Sequence, residues 1–311
     1  MDNSKVAIVT DSNSGLTTFE AYENGITVIP MPFMIGGENY LEGIDITQDE
    51  FYTKLENNIT ISTSQPEPGV IIDTWNRLLK DYESIVHIPM SSGLSSSCAT
   101  AMALSEDFGT RVQVVDNRRI SVTQMQSVLD ARTLANNGLN AVQIKKKLLE
   151  ESDESLIYIM VDTLKYLKKG GRITPAAAAI GTVLGLKPVL QIKGDKLDAF
   201  SKARNYASGK KIMLQSMLEN INANYSACED ICPVNLYIAY SGSAAQADIF
   251  KQEARQAVPE YGEITMKPLP LSISCHIGPG AVAIAYSKKL STPSKEELSE
   301  LSDKNERELR A

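Results

Sequence analysis

The feature that most constrains this chain is an alternation of short apolar runs with longer helical stretches. Val6–Val9, Ile26–Ile29, Ile85–Ile88 and Val112–Val115 are runs too short to bury a helix. Their β-branched residues suit strands covered on both faces. The third and fourth run through polar turns into helical stretches at Ser95–Glu106 and Ile120–Asn137. A helix is also expected over Thr47–Leu55, where Thr47 and Glu50 form a capping-box pair, and Trp75, Leu78 and Leu79 make a further helical stripe. Strands alternating with helices in this way build βαβ units around a parallel sheet.

The pattern changes after the charged helix Ala141–Glu151. A buried-strand run follows at Leu156–Val161, then the basic turn Lys168-Lys169-Gly170-Gly171-Arg172. Val189–Ile192 and Leu197–Phe200 flank Lys193-Gly194-Asp195-Lys196 as a hairpin; a strand at Leu236–Tyr240, a helix at Ala244–Val258 and a last strand at Ala281–Tyr286 complete the order. Hairpins mixed with helices call for a partly antiparallel sheet. The 311 residues suit two domains at roughly 150 residues each. The expected fold is therefore a two-domain α/β protein: an N-terminal parallel-sheet domain over 1–154, a C-terminal mixed-sheet domain over 155–290, and a charged tail over 291–311. Ser152–Ser155 marks the boundary.

Composition removes several function classes. Lys plus Arg total 31 against 38 Asp plus Glu, a net charge of −7, so phosphate backbones are repelled and nucleic acid is not an expected partner. Cys98, Cys228, Cys232 and Cys275 include no Cys-x-x-Cys pair, which disfavours a disulfide framework or zinc ribbon. Two distant histidines, His87 and His276, do not meet the usual ligand counts, so no metal is expected. No apolar run approaches the ~20 residues of a spanning helix, and Met1–Lys5 has no signal-peptide character. A cytoplasmic, soluble protein is the expectation. Walker A and Gly-x-Ser-x-Gly patterns are absent.

Three polar segments can carry chemistry. Ser91-Ser92-Gly93-Leu94-Ser95 lies between a strand and a helix start, where α/β sheets place ligands and unpaired N–H groups favour an anion. Thr63-Ser64-Gln65-Pro66 is a second hydroxyl cluster before a helix for which Glu67-Pro68 suits the start. His276 precedes the turn Gly278-Pro279-Gly280, whereas His87 sits mid-strand and reads as packed. Taken singly, each serine or threonine is as well explained by capping, and a loop histidine by plain surface. Asp11-Ser12 and Asp116-Asn117, at strand ends, read as caps.

Together these segments resemble the DegV family. The motifs Val9-Thr10-Asp11-Ser12, Thr63-Ser64-Gln65-Pro66, Ser91–Ser95, Tyr166–Ile173, Leu186-Lys187-Pro188 and His276–Gly280 occur in that family's order, over about residues 5 to 290. Ser96 departs from the glycine usual after the serine, and the Lys-rich tail is extra. The resemblance implies two α/β domains with a long-chain fatty acid buried between them. It also implies a non-catalytic subunit that presents the carboxylate to a separate fatty acid kinase subunit, with the acyl-phosphate passing to an acyltransferase of phospholipid synthesis. By matching motifs, Thr63, Ser95, His276 and Arg172 hold the carboxylate, with Ser64, Ser92, Gly93 and Gly278 as secondary contacts; no catalytic residue, cofactor or metal is implied. Lys168, Lys169, Lys202, Arg204, Lys210 and Lys211 could form a docking surface for the kinase, although each reads equally as a solvated lysine or arginine. Small residues at Ala176–Ala179, Gly181 and Gly185 read as close packing rather than as room for the acyl chain. The competing readings are a serine hydrolase built on Ser95 and His276, a His276 phospho-carrier, and a scaffold with incidental lipid.

Overall fold

The computed structural model describes residues 5–57, 59–179, 186–194, 196–228 and 233–290. The tail 291–311, Gly181, Gly185 and Asp195 lie outside them. Among the described residues, thirteen strands and eleven α-helices follow one another in this order. The N-terminal part holds β1 (Val6–Asp11), α1 (Thr18–Glu23), β2 (Ile26–Ile29), β3 (Pro32–Ile35), β4 (Glu38–Leu41), α2 (Gln48–Glu56), β5 (Ile61–Thr63), α3 (Pro68–Leu78), β6 (Ser84–Ile88), α4 (Ser97–Ser105), β7 (Val112–Val114), α5 (Ser121–Asn136) and α6 (Ala141–Glu150). The C-terminal part holds β8 (Ser155–Met160), α7 (Lys165–Gly170), α8 (Pro175–Ala179), β9 (Lys187–Ile192), β10 (Asp198–Ala203), α9 (Tyr206–Tyr225), β11 (Val234–Tyr240), α10 (Ala245–Ala257), β12 (Thr265–Pro268), α11 (Leu271–Ile277) and β13 (Val282–Lys288).

The first sheet, ordered β2-β1-β6-β7, is parallel throughout. Every residue of β1 is buried, as a central parallel strand requires. The second sheet, β10-β9-β8-β13-β11-β12, is antiparallel except for the β11–β12 pair. The alternation along β11 has a direct meaning. Leu236 and Ile238 pack with α9 and α10, while Tyr237 and Ala239 face the other core. The capping box at α2 forms as its sequence demands, with Glu50 N–H donating to Thr47 Oγ1 at 3.3 Å. Pro68 opens α3. His87 is buried edge-on to Trp75, and burial pushes its imidazole down to about 3.

One unit departs from the expected order. Residues 32–63 contain a three-stranded antiparallel sheet, β4-β3-β5, around α2. Pro32 begins a strand here rather than only ending one, a position where its missing N–H costs no ladder bond. Gly36 and Gly37 both have positive φ, at 61° and 93°, the pair of conformations a two-residue hairpin needs. That Gly-Gly step between Phe33-Met34-Ile35 and Asn39-Tyr40-Leu41 was the available sequence signal.

The two larger sheets share α5. It packs on β1 and β6 from one side and on β13 from the other, and Val122, Met125, Val128, Ala131, Leu134 and Ala135 are all buried. Most of its polar residues, Ser121, Thr123, Gln124, Ser127, Asp130 and Arg132, are buried too, so they need partners. Gln124 Nε2 donates to Thr10 Oγ1 (3.1 Å), Asp11 Oδ1 (3.1 Å) and the Ile88 carbonyl (3.3 Å). Asp11 also accepts from the Asn13 and Met90 N–H groups, so it caps the turn and ties two strand ends to α5.

Asp130, also on α5, accepts a 2.7 Å bond from Gln126 on Oδ1 and has no partner on Oδ2. Burial pushes its carboxyl up to about 7 against the pull of Arg119. The folded protein thus binds this proton more tightly than the unfolded chain, and the associated stability is lost as pH rises from the ordinary carboxylate range through about 7. Asp130→Asn should gain on the parent protein across that window, by up to ~1.4 kcal/mol per pH unit. Urea denaturation of both proteins over a pH series checks this; a constant difference would show that Asp130 ionises normally.

Candidate functional site: a cavity between the sheets

Four elements from distant parts of the chain converge where the sheets meet. Thr63 ends β5, Ser95 lies in the turn before α4, Arg172 follows α7, and His276 sits in the last turn of α11. The helical position of His276 corrects the expected loop placement; the turn begins at Gly278, after the helix ends. His276 Nε2 lies 2.8 Å from Thr63 Oγ1. All four residues are half-buried and line one cavity of about 170 Å³.

The cavity is polar where these residues meet and apolar elsewhere. Ile157 and Ile159 of β8, Ile192 of β9, Ala239 of β11 and Ala283 of β13 line it from the mixed sheet, and Ile120 and Val122 line it at the start of α5. Ala239, Ala283 and Ile159 form one cross-strand row, so small side chains leave a shallow trough in the sheet face. Ala176–Ala179 are not on the wall; Ala177 is packed in the core. Ser64 and Ser96 are on the wall and exposed, so the polar region reaches solvent.

The electrostatics favour an anion. Arg172 Nε donates to the Leu94 carbonyl at 3.3 Å, and Nη1 donates to the Gly170 carbonyl. Among the described residues, no carboxylate forms an ion pair with Arg172. Burial, reinforced by the Arg172 charge, pushes the His276 imidazole down to about 4, so it is neutral at physiological pH. The site therefore offers one fixed positive charge, a neutral imidazole and several hydroxyls.

Of the secondary contacts expected, Ser64 lines the cavity and Ser92, Gly93 and Gly278 do not. Ser92 is exposed with its N–H directed to Asp116, and the Gly278 carbonyl accepts from Ser241 Oγ. Several lining residues escaped the sequence reading as site residues, Gln65, Asn13, Ser272 and Ser121 among them. Gln65 accepts from Ser96 and Thr100, which ties the end of the Thr63 strand to α4. Asn13 and Ser272 are joined at 2.6 Å. Ser121 has a φ of 55°, a strained conformation for a residue with a side chain; no local sequence pattern announces it.

Among the described residues, Ser95 and His276 form no nucleophile–base pair. Ser95 Oγ accepts the Ser97 N–H at 3.1 Å, and His276 Nε2 is engaged by Thr63. Among the six basic residues considered for docking, Lys210 is a correction: it is buried and paired with Glu253 at 3.0 Å. Lys168, Lys169, Lys202, Arg204 and Lys211 are exposed. Among the described residues, no group of metal-binding side chains is found, and no helix is long and apolar enough to cross a membrane.

A model of the family described as "Uncharacterised protein, DegV family" matches residues 5–289. The chain belongs to the DegV family. A DegV domain-containing protein of Staphylococcus aureus is 30% identical over 287 residues, covering 92% of this chain and 99% of its own. Two solved DegV structures are similar. One, from Thermus thermophilus and described by its fatty acid binding, has a TM-score of 0.83 and 27% identity, covering 91% of this chain and 99% of that one. The other, a fatty acid binding protein from Bacillus subtilis, has a TM-score of 0.79 and 26% identity, covering 92% and 100%. The parallel-sheet and mixed-sheet regions of this DegV chain are thus the architecture of its relatives.

The two glycines before Arg172 have separate physical reasons. Gly171 closes α7 with φ of 70°. Gly170 is helical, yet a Cβ there would lie 2.3 Å from His276 Nδ1. Alanine is the better helix former by ~1 kcal/mol, so Gly170→Ala should keep the fold while displacing the imidazole. The expected result is a His276 pKa raised from about 4 toward the ordinary value near ~6.5, read by NMR titration of the histidine ring protons. An unmoved titration would show that the imidazole tolerates a side chain at that position.

Proposed function

We propose that this protein binds a long-chain fatty acid in the cavity between the sheets and presents its carboxylate at the polar end. The observation that carries the reading is Arg172: a half-buried cation without an ion-pair partner among the described residues, lining a cavity that also carries Thr63, Ser95 and His276 and whose wall toward the mixed sheet is apolar. Burying each CH₂ contributes roughly 0.8 kcal/mol, so ~14 methylenes contribute on the order of 11 kcal/mol before binding costs. A desolvated carboxylate, in turn, requires fixed donors. The descriptions of the Thermus and Bacillus relatives support the ligand class.

The polar end reaches solvent at Ser64 and Ser96, which suits handover of the head group while the tail stays dry. In the proposed cycle a separate kinase subunit directs the γ-phosphorus of ATP to a carboxylate oxygen. ADP leaves, and the acyl-phosphate goes to an acyltransferase of phospholipid synthesis. This chain supplies no reacting group in that step. The domain assignment of 1–154 and 155–290 is part of the same proposal, with the ligand at their junction.

Native mass spectrometry of the purified protein, followed by lipid extraction, tests the reading. A stoichiometric long-chain fatty acid is expected; a protein that is empty and takes up neither palmitate nor oleate overturns it. Ser95→Ala should leave the fold intact, since Ser95 lies in a turn, and weaken fatty-acid binding by ~1.5–3 kcal/mol through loss of a charge-assisted hydrogen bond. Titration calorimetry would show unchanged affinity if Ser95 does not touch the carboxylate.

A further inference from the structure

Glu42, just after β4, is buried at 8% exposure without a cationic partner among the described residues, an expensive place for a carboxylate unless donors surround it. They do. Its Oε2 accepts from Ser12 Oγ at 2.7 Å, and Ser272 Oγ lies 2.7 Å from the same oxygen and 2.6 Å from Asn13 Oδ1. Its Oε1 accepts from the Leu271 N–H and, at 3.4 Å, from the Ser272 N–H. Those two N–H groups open α11, the helix that ends with His276, and they have no acceptor within the helix itself.

Thr63 and Glu42 attach to the same small sheet: Thr63 pairs with Phe33 on one side of β3, and Glu42 directly follows β4 on its other side, its N–H donating to the Met31 carbonyl at 3.1 Å. The small sheet and the turn after β4 therefore supply both the hydroxyl that meets His276 and the carboxylate that holds the far end of the His276 helix. Tyr52 on α2 adds a 2.9 Å bond from its hydroxyl to Ser274 Oγ, and Leu271 and Cys275 pack with Phe33, Phe51 and Tyr52. We infer that Glu42 is a positioning residue for the site: its carboxylate braces α11 against the small sheet and thereby sets the Thr63–His276 contact. Glu42 does not line the cavity and acts only through the helix. The link to ligand binding rests on the function proposed above; the brace itself does not.

The test is NMR titration of both histidines in ligand-free protein. In Glu42→Ala, the His276 pKa should rise by about one unit or more toward the ordinary value, as the ring loses burial and Thr63, with Arg172 remaining the charge beside it. His87, remote from the brace and buried beside Trp75, should not move and so reports an intact fold. A folded Glu42→Ala protein with an unchanged His276 titration overturns the inference. If Glu42→Ala does not fold, Ser272→Ala decides, because it removes one hydroxyl and keeps the helix N–H groups. A smaller rise at His276 alone supports the brace, and no change overturns it. Fatty-acid affinity measured on the same variants should fall at least tenfold for Glu42→Ala. If the parent protein binds no fatty acid, the function falls while the titration still judges the brace.

Discussion

The structure depends on a helix with almost no solvent face. α5 is buried against the parallel sheet on one side and the mixed sheet on the other, so neither sheet completes its core without it. Such a helix must satisfy its polar side chains internally, and Gln124 does so by binding the ends of β1 and β6. Apolar packing joins the two halves, and these hydrogen bonds fix α5 against the parallel sheet. The cavity lies where α5 begins, since Ile120, Ser121 and Val122 line it.

Placing the cavity at that seam explains its character. The mixed sheet contributes an apolar face with a small-residue trough at Ala239 and Ala283. The loops and strand ends contribute the polar groups, because chain ends of strands and helices carry the unpaired donors and acceptors. Arg172, a cation with no ion-pair partner among the described residues, then faces a neutral imidazole and hydroxyls. The protein's net charge of −7 makes this local positive site a matter of arrangement rather than composition. The proposed ligand, an anion with a long apolar tail, has two ends that match the two environments.

Strand and helix periodicity made most of the secondary structure legible: the strand runs at β1, β2, β6, β7, β8, β11 and β13, the hairpin of β9 and β10, and the capped start of α2 all follow from local pattern. The small sheet escapes local pattern because its strands are short and partly polar, and because β3 opens on Pro32, a residue that cannot donate to a ladder. Thr63, Ser95, Arg172 and His276 were named through motif resemblance, since a threonine or a lone histidine has no local signature. Lys210 misled because a lysine on a helix looks solvated until Glu253 is seen beside it.

The sequence by itself determined the α/β class, the switch from parallel to mixed pairing after Glu151, and the identity of the polar clusters. These depend on backbone periodicity and local capping, which act over a few residues. Only the tertiary structure decided that Thr63 meets His276, that Arg172 lacks an ion-pair partner among the described residues, and that Glu42 holds the start of α11. Each is a contact between segments far apart along the chain. Its geometry is fixed by how the sheets pack on α5 and how the small sheet docks on α11, and no local pattern records that.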